Sequence, residues 1–195
     1  VEYTPLSLPG GRAVQTWRAR VVAMAKATED VMIVHLAVEG DARISYYAGQ
    51  YINILLPEGG KRSFSFAPAP GTGDTVELQI RRVAGGLFTT RVFESMQVGD
   101  PIEFEGPLGS FFLREDSKKP IIFVAGATGF APVKSMVEHA FRTGLKRRMV
   151  LYWGTRTLRD MYARELCESR PREPLNLTSA PFLSAPGPAD AWTGR

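Results

Sequence analysis

Cysteine is almost missing from this sequence. A lone Cys167 excludes an internal disulfide and any cysteine-ligated cluster within these residues. That scarcity fits a reducing compartment, and the expected location is cytoplasmic. Histidine is nearly as scarce. His35 and His139 stand far apart without ligand-like neighbours, so both read as structural or surface residues and no metal site is expected. No apolar run approaches the roughly 20 residues that cross a bilayer, and no membrane association is expected. The first residues, Val-Glu-Tyr-Thr-Pro, lack the basic-then-apolar order of a secretion signal. They also lack an initiator Met, which points to a piece of a longer chain. No nucleic-acid motif is present, so DNA and RNA are not expected partners.

What is present is ordinary in amount and uneven in place. A length of 195 residues suits one large domain or two small ones. The net charge is +4, and residues 142–172 alone hold nine Lys/Arg against three Asp/Glu. Such a run reads first as a solvated helix face, and otherwise suits an acidic protein or a phosphate-bearing ligand.

The hydrophobic period changes once along the chain. Residues 1–15, rich in Pro and Gly, read as a leader or linker. Strands are expected at 17–25, 30–38, 50–56 and 61–67, and around Val76, Leu78 and Ile80. A short helix is expected from Gly85 to about Met96, then a strand at Ile102–Phe104 and a tight loop at 106–111. Six or so short strands with regularly spaced turns predict a small antiparallel barrel. The polar run at 114–119 is the expected boundary. After it, Pro120–Ala125 is an unbroken apolar run, read as a strand buried on both faces. A helix starting near Pro132 carries Val133, Met136, Val137, Ala140 and Phe141 on one face, and Gly144 ends it. A strand at 149–153, a helix at 158–169 with Cys167 in its core face, and a strand at 175–179 complete an α/β pattern with a parallel sheet. Residues 180–195 read as loop, and the second domain reads as incomplete.

Three stretches carry chemistry. In Arg62-Ser63-Phe64-Ser65 the Arg offers a fork of donors for a phosphate, and Phe64 offers a flat face for a ring. The period of two puts Arg62 and Phe64 on one face, and Ser63 and Ser65 on the other. Ser65 would then meet a ring through its backbone or at the strand's end. The same four residues also suit a plain half-buried strand. In Gly85-Gly86-Leu87-Phe88-Thr89 the glycines let the backbone approach a ligand, and the helix start offers free N–H groups to an anion. A glycine turn capped by Thr89 is the alternative. Gly126-Ala127-Thr128-Gly129-Phe130-Ala131-Pro132 follows a parallel strand directly, as a pyrophosphate-binding turn does. It departs from the G-x-G-x-x-G pattern, and a plain strand-to-helix connection is its alternative.

Taken in order, these motifs resemble the ferredoxin–NADP reductase superfamily of flavoprotein reductases. Within it they are most similar to the NAD(P)H-dependent reductase components of bacterial oxygenases and to CDP-6-deoxyglucoseen reductases. The resemblance runs from about Trp17 to Arg195. It implies an antiparallel six-stranded flavin-binding β-barrel at 16–114 and a partial parallel-sheet α/β nucleotide-binding domain at 119–195. Arg62 would pair with the flavin phosphate, Phe64 would pack on the isoalloxazine, and Ser65, the implied catalytic residue, would sit near N5. Ser63, Ile80, Arg82, Leu87 and Phe88 are implied as further flavin contacts. Gly85, Gly86 and Thr89 would hold the FAD pyrophosphate. Gly126, Ala127, Thr128, Gly129 and Pro132 would bind the nicotinamide nucleotide, with Ala127 replacing a family Gly. Trp153, Gly154 and Arg156, with Tyr152, Asp160 and Tyr162 nearby, resemble the segment at the adenosine end.

The implied chemistry is hydride transfer from NAD(P)H to FAD, then electron transfer to an acceptor. That acceptor is an iron–sulfur protein such as a ferredoxin, an oxygenase component or free flavin. NADH stands ahead of NADPH. Arg156 suits either a 2′-phosphate or a brace on the adenosine. Two departures matter. No cysteine-rich iron–sulfur domain is present. The chain also stops before the family's Cys-Gly turn, so hydride transfer is expected to be weaker than FAD binding. A non-catalytic flavin-binding or electron-relay module is the alternative, and a basic interaction module without cofactor is a third reading.

Overall fold

The structure, a computed structural model, describes residues 13–40, 43–165 and 176–192. Two sheets share the chain. The first has six antiparallel strands: β1 (Gln15–Lys26), β2 (Val31–Val38), β3 (Tyr51–Leu55), β4 (Lys61–Ser65), β5 (Thr75–Arg81) and β6 (Pro101–Leu108). Their order in space is β4-β3-β6-β1-β2-β5. No ladder joins β4 to β5, so the expected barrel is not closed by hydrogen bonding. The two edges still approach each other, and just past β4 the Ala67 N–H donates to the Glu77 carbonyl of β5. The alternation read from the sequence holds here. Val34, Leu36, Val76, Leu78 and Ile80 point into one core with Ile52, Ile54 and Phe104. The helix α1 (Leu87–Glu94) covers one end of that core with Phe88 and Val92.

The second sheet has three parallel strands in the order β7 (Ile121–Gly126), β8 (Met149–Thr155) and β9 (Leu177–Leu183). Helix α2 (Phe130–Arg142) connects β7 to β8 and lays Val133, Met136, Val137 and Ala140 on Phe123, Ala125, Leu151 and Trp153. It ends as expected. Gly144 takes a left-handed φ of 68°, and the N–H of Leu145 turns back to the Ala140 carbonyl.

Several expectations need correction. The apolar run at 120–125 is not buried on both faces. Phe123 and Ala125 are buried, whereas Ile122 and Val124 are 68% and 72% exposed. Helix α2 packs on the face that carries Phe123 and Ala125, with Ala48, Leu113 and Met161 in the same buried cluster. The expected helix at 158–169 begins as a 3-10 turn, Leu158–Asp160, and breaks at Met161, whose ψ of 72° is not helical. Helical backbone returns at Arg164 and Glu165. Cys167 and the rest of that segment lie outside the described residues. Residues 180–183 are not loop. They continue β9 through Pro181, which suits an edge strand. The tight loop expected at 106–111 starts later, because β6 runs on to Leu108. β1 starts at Gln15, within the stretch read as leader, most of which lies outside the described residues.

The sheets meet along α2. Ser135, fully buried, donates to the Pro68 carbonyl at 2.6 Å, and Arg142 reaches the Pro70 carbonyl at 2.7 Å. Gly49 is required at this seam. A Cβ there would lie 2.2 Å from the Met136 side chain and 2.5 Å from the Phe111 carbonyl, and its φ of 108° is strained for other residues. Among the described residues no helix is long and apolar enough to cross a membrane.

Candidate functional site

A cavity of about 630 Å³ opens between the two sheets. It is lined by Arg62, Ser63, Phe64 and Ser65 of β4, by the 83–86 loop with Phe88 and Thr89 of α1, and by Thr128, Gly129 and Ala131. All three stretches singled out in the sequence therefore share one crevice. Because β4 is an edge strand, Ser63 and Ser65 reach the cavity with Arg62 and Phe64, although they belong to the opposite strand face. No Asp or Glu lines the cavity, and two arginines do. Arg81 is paired with Asp30 at 2.9 Å, so Arg62 is the arginine left to favour an anion there.

Arg62 is exposed and donates to the Lys61 carbonyl at 2.9 Å. No carboxylate among the described residues pairs with it, so its guanidinium can take a phosphate. Phe64 packs against Phe88, with ring centroids 5.5 Å apart. Ser63 donates to Asn53 at 2.7 Å, which ties it to an Asn53–Glu105–Lys61 cluster on β3 and β6. Ser65 has no such partner among the described residues.

Thr89 is buried and spends its hydroxyl on its own loop. It accepts from the Val83 N–H at 3.1 Å and reaches the Val83 and Gly86 carbonyls at 3.2 and 3.1 Å. It therefore shapes the turn more than it offers a hydroxyl to a ligand. Gly86 must stay bare, because a Cβ would sit 2.7 Å from that Oγ1. Gly85 takes a φ of 73° with open space beyond it. Helix α1 starts at this turn with no side-chain cap and no acidic residue in its first turn, which leaves its N–H groups available to an anion.

On the other side, residues 127–129 form a 3-10 turn that leads into α2. Pro132 is the third residue of α2, where the missing N–H has no helical partner to lose. Ala127 sits at φ 46°, the left-handed region that favours glycine. Trp153 braces this turn from below. It donates from Nε1 to the Ala127 carbonyl at 3.0 Å and stacks on Phe130 at 4.1 Å. Trp153 is fully buried, and Gly154 is buried with the Phe182 ring against it. Both serve as scaffold here.

Arg156 lines a neighbouring cavity of about 260 Å³ with Arg159, Tyr162 and Ala127. Arg81 lines both cavities, so the two adjoin. Asp160 caps its own turn, accepting from the Thr157 N–H at 2.9 Å and hydroxyl at 2.8 Å.

On β5 the side chains that face the site are Gln79 and Arg81, not Ile80 and Arg82. Ile80 points into the core, and Arg82 pairs with Glu94. Leu87 is 67% exposed and lines neither cavity. The period of two carried this signal already: if Val76, Leu78 and Ile80 point inward, Gln79 and Arg81 must point the other way. Gln79 is held on both sides. Its Oε1 accepts from the Tyr162 hydroxyl at 2.7 Å, and its Nε2 donates to Glu77 at 3.1 Å.

Two family models divide the chain at this seam. An oxidoreductase FAD-binding domain matches residues 18–113, and an oxidoreductase NAD-binding domain matches residues 123–195. The chain belongs to the ferredoxin reductase family. Within this family it is 37% identical over 185 residues to the phenol hydroxylase P5 protein of Acinetobacter pittii, covering 94% of this chain and 52% of that protein. It is also 37% identical over 180 residues to the CDP-6-deoxy-L-threo-D-glycero-4-hexulose-3-dehydrase reductase of Yersinia pseudotuberculosis, covering 92% of this chain and 53% of that one. The chain thus spans about half the length of these curated relatives. Among solved structures it resembles the Amycolatopsis cytochrome P450 reductase GcoB, with a TM-score of 0.82 and 29% identity over 95% of this chain and 57% of that one. Phthalate dioxygenase reductase shares the fold at a TM-score of 0.74 and 22% identity, over 91% of this chain and 55% of that one.

Proposed function

We propose that this chain is the catalytic core of an NAD(P)H-dependent, FAD-containing reductase that delivers electrons to a protein acceptor. The single observation that carries this reading is the shared cavity between β4, the 85–89 turn and the start of α2. Its donor set fits FAD: an unpaired Arg62 for phosphate, Phe64 for the ring, and the bare turn at Gly85 and Gly86 for the pyrophosphate. Ser65, with an uncommitted hydroxyl, is the proposed residue at the reacting edge of the ring. The turn at 126–129 and the first turn of α2 form the proposed nicotinamide-nucleotide site, with Arg156 at its adenosine end. When bound, FAD would supply the redox chemistry, taking a hydride from the nicotinamide and passing electrons on. The chain's own residues bind and orient the two nucleotides and leave one crevice in which they can meet.

We divide the chain accordingly into an FAD-binding domain at 16–114 and a nucleotide-binding domain at 119–195. NADH is the proposed coenzyme. NADPH is the second reading, for which Arg156 and Arg159 in the adjoining cavity speak, while Glu29, Asp30 and Asp160 in the same lining speak against a further phosphate. The proposed partner is an iron–sulfur protein or an oxygenase component; one relative, from a Pseudomonas species, is named as the reductase component of a phenol 2-monooxygenase. The proposed setting is cytoplasmic. Anaerobic titration of the FAD-loaded chain with NADH, then NADPH, tests the reading. Bleaching of the flavin by one coenzyme supports it, and a flavin that neither coenzyme reduces refutes the reductase activity.

A further inference from the structure

We infer that Gln79 is a ligand-binding residue of the flavin cavity, and that Tyr162, reaching over from the turn after Leu158–Asp160, fixes which end of its amide faces the ligand. This rests on the reading of the cavity as an FAD site.

The orientation of an amide follows from its neighbours. Glu77 lies between Gln79 and Lys134, whose Nζ is 3.4 Å from its carboxylate. A carboxylate paired with lysine only accepts, so the Gln79 amide must present Nε2 to it, at 3.1 Å. That leaves Oε1 for Tyr162, whose hydroxyl must then donate, at 2.7 Å. Burial pushes the Tyr162 phenol well above its ordinary range, so it keeps the proton it donates. The ring of Tyr162 is itself held edge-on by Trp153 and Phe130. Each contact in the series Lys134, Glu77, Gln79, Tyr162 thus has one direction only.

One donor is left over. Nε2 carries two hydrogens, and Glu77 takes one. Gln79 is 95% buried, yet its side chain lines the cavity together with Phe64, Ser65 and Thr128. The remaining N–H therefore has no partner among the described residues and is the group Gln79 can offer to the cavity it lines. Heteroatoms of a flavin accept hydrogen bonds, and a reduced flavin carries more negative charge than an oxidised one. A donor here strengthens binding and favours the reduced form.

The experiment compares wild type, Gln79→Leu, Tyr162→Phe and the double variant of the full chain, by FAD titration and by flavin midpoint potential. One hydrogen bond corresponds to about 3- to 10-fold in affinity. Gln79→Leu should weaken FAD by that factor and shift the potential to a more negative value. Tyr162→Phe should do part of the same, and the double variant should be no worse than Gln79→Leu, because Tyr162 acts through the amide. Should Gln79→Leu not fold, Gln79→Met keeps the length without the donor. If the wild-type chain binds no FAD, the reductase reading falls and this inference with it. If it binds FAD, and the variants bind it equally well at the same potential, only the role of Gln79 is overturned. Lost thermal stability without a change in either readout has the same meaning, since it marks a strut between the sheets.

Discussion

Lys134 of α2 and Glu77 of β5 meet across the seam with Nζ 3.4 Å from the carboxylate, each side chain about five-sixths buried. Lys134 also pairs with Glu138 one turn along α2, at 3.0 Å. One lysine thus sits between two carboxylates at the seam beside the cavity. Its replacement by Met should leave both acids facing each other with little water. Breaking a fully buried pair costs about 3–5 kcal/mol, and this partly buried one should cost about 1–3 kcal/mol. Thermal unfolding checks it, and an unchanged Tm would remove the pair from any account of how the sheets are held.

Arg62→Ala should strip FAD from the chain. The side chain is exposed and donates only to its neighbour's carbonyl, so the fold should survive the change. A charge-assisted contact to phosphate is worth about 1.5–3 kcal/mol, or roughly 10- to 100-fold in affinity. Equilibrium titration with FAD measures the loss. Wild-type affinity in the variant would end the phosphate role.

Ala127→Gly should stabilise the protein. Ala127 holds a φ of 46°, where a side chain costs about 1–2 kcal/mol. The extra freedom of glycine in the unfolded chain returns about 0.4–1 kcal/mol of that. The net gain is on the order of 0.5–1 kcal/mol, or about 1–3 °C in Tm. A lower Tm would show that the methyl group is needed where it lies.

Tyr46 and Tyr162 set an alkaline limit. Burial first, and the nearby Glu138 and Glu77 charges second, push the Tyr46 phenol above its ordinary value of 10.0. Burial and Glu77 do the same for Tyr162. In the unfolded chain both ionise near the ordinary value, while the folded protein keeps them neutral. Their contribution is therefore complete below about pH 10 and is lost as pH rises further. Denaturant midpoints between pH 8 and 11, at about that span of the ordinary tyrosine range, should be level and then fall. The fall should flatten in the Tyr46→Phe, Tyr162→Phe double variant.

The sequence by itself determined the two sheets, because a period of two at 31–38 and 75–81 and a strand–helix alternation after 120 each admit one kind of layer. It also marked Arg62–Ser65, Gly85–Thr89 and Gly126–Pro132, not by any one of them, since each also suits an ordinary strand or turn, but by their order along the chain. It placed α2 and its end at Gly144, since the apolar stripe and the left-handed glycine are local properties. It did not show that Ile122 and Val124 stay exposed, because an apolar run does not say which elements pack on it. Only the tertiary structure assigned Thr89 to its own loop and Trp153 to the underside of a turn, since a hydroxyl or an indole finds its partner only when distant segments meet. The pairing of Tyr162 with Gln79, 83 residues apart, was decided there too: direction along a strand follows from local geometry, whereas the neighbour across a seam depends on how two sheets are laid together.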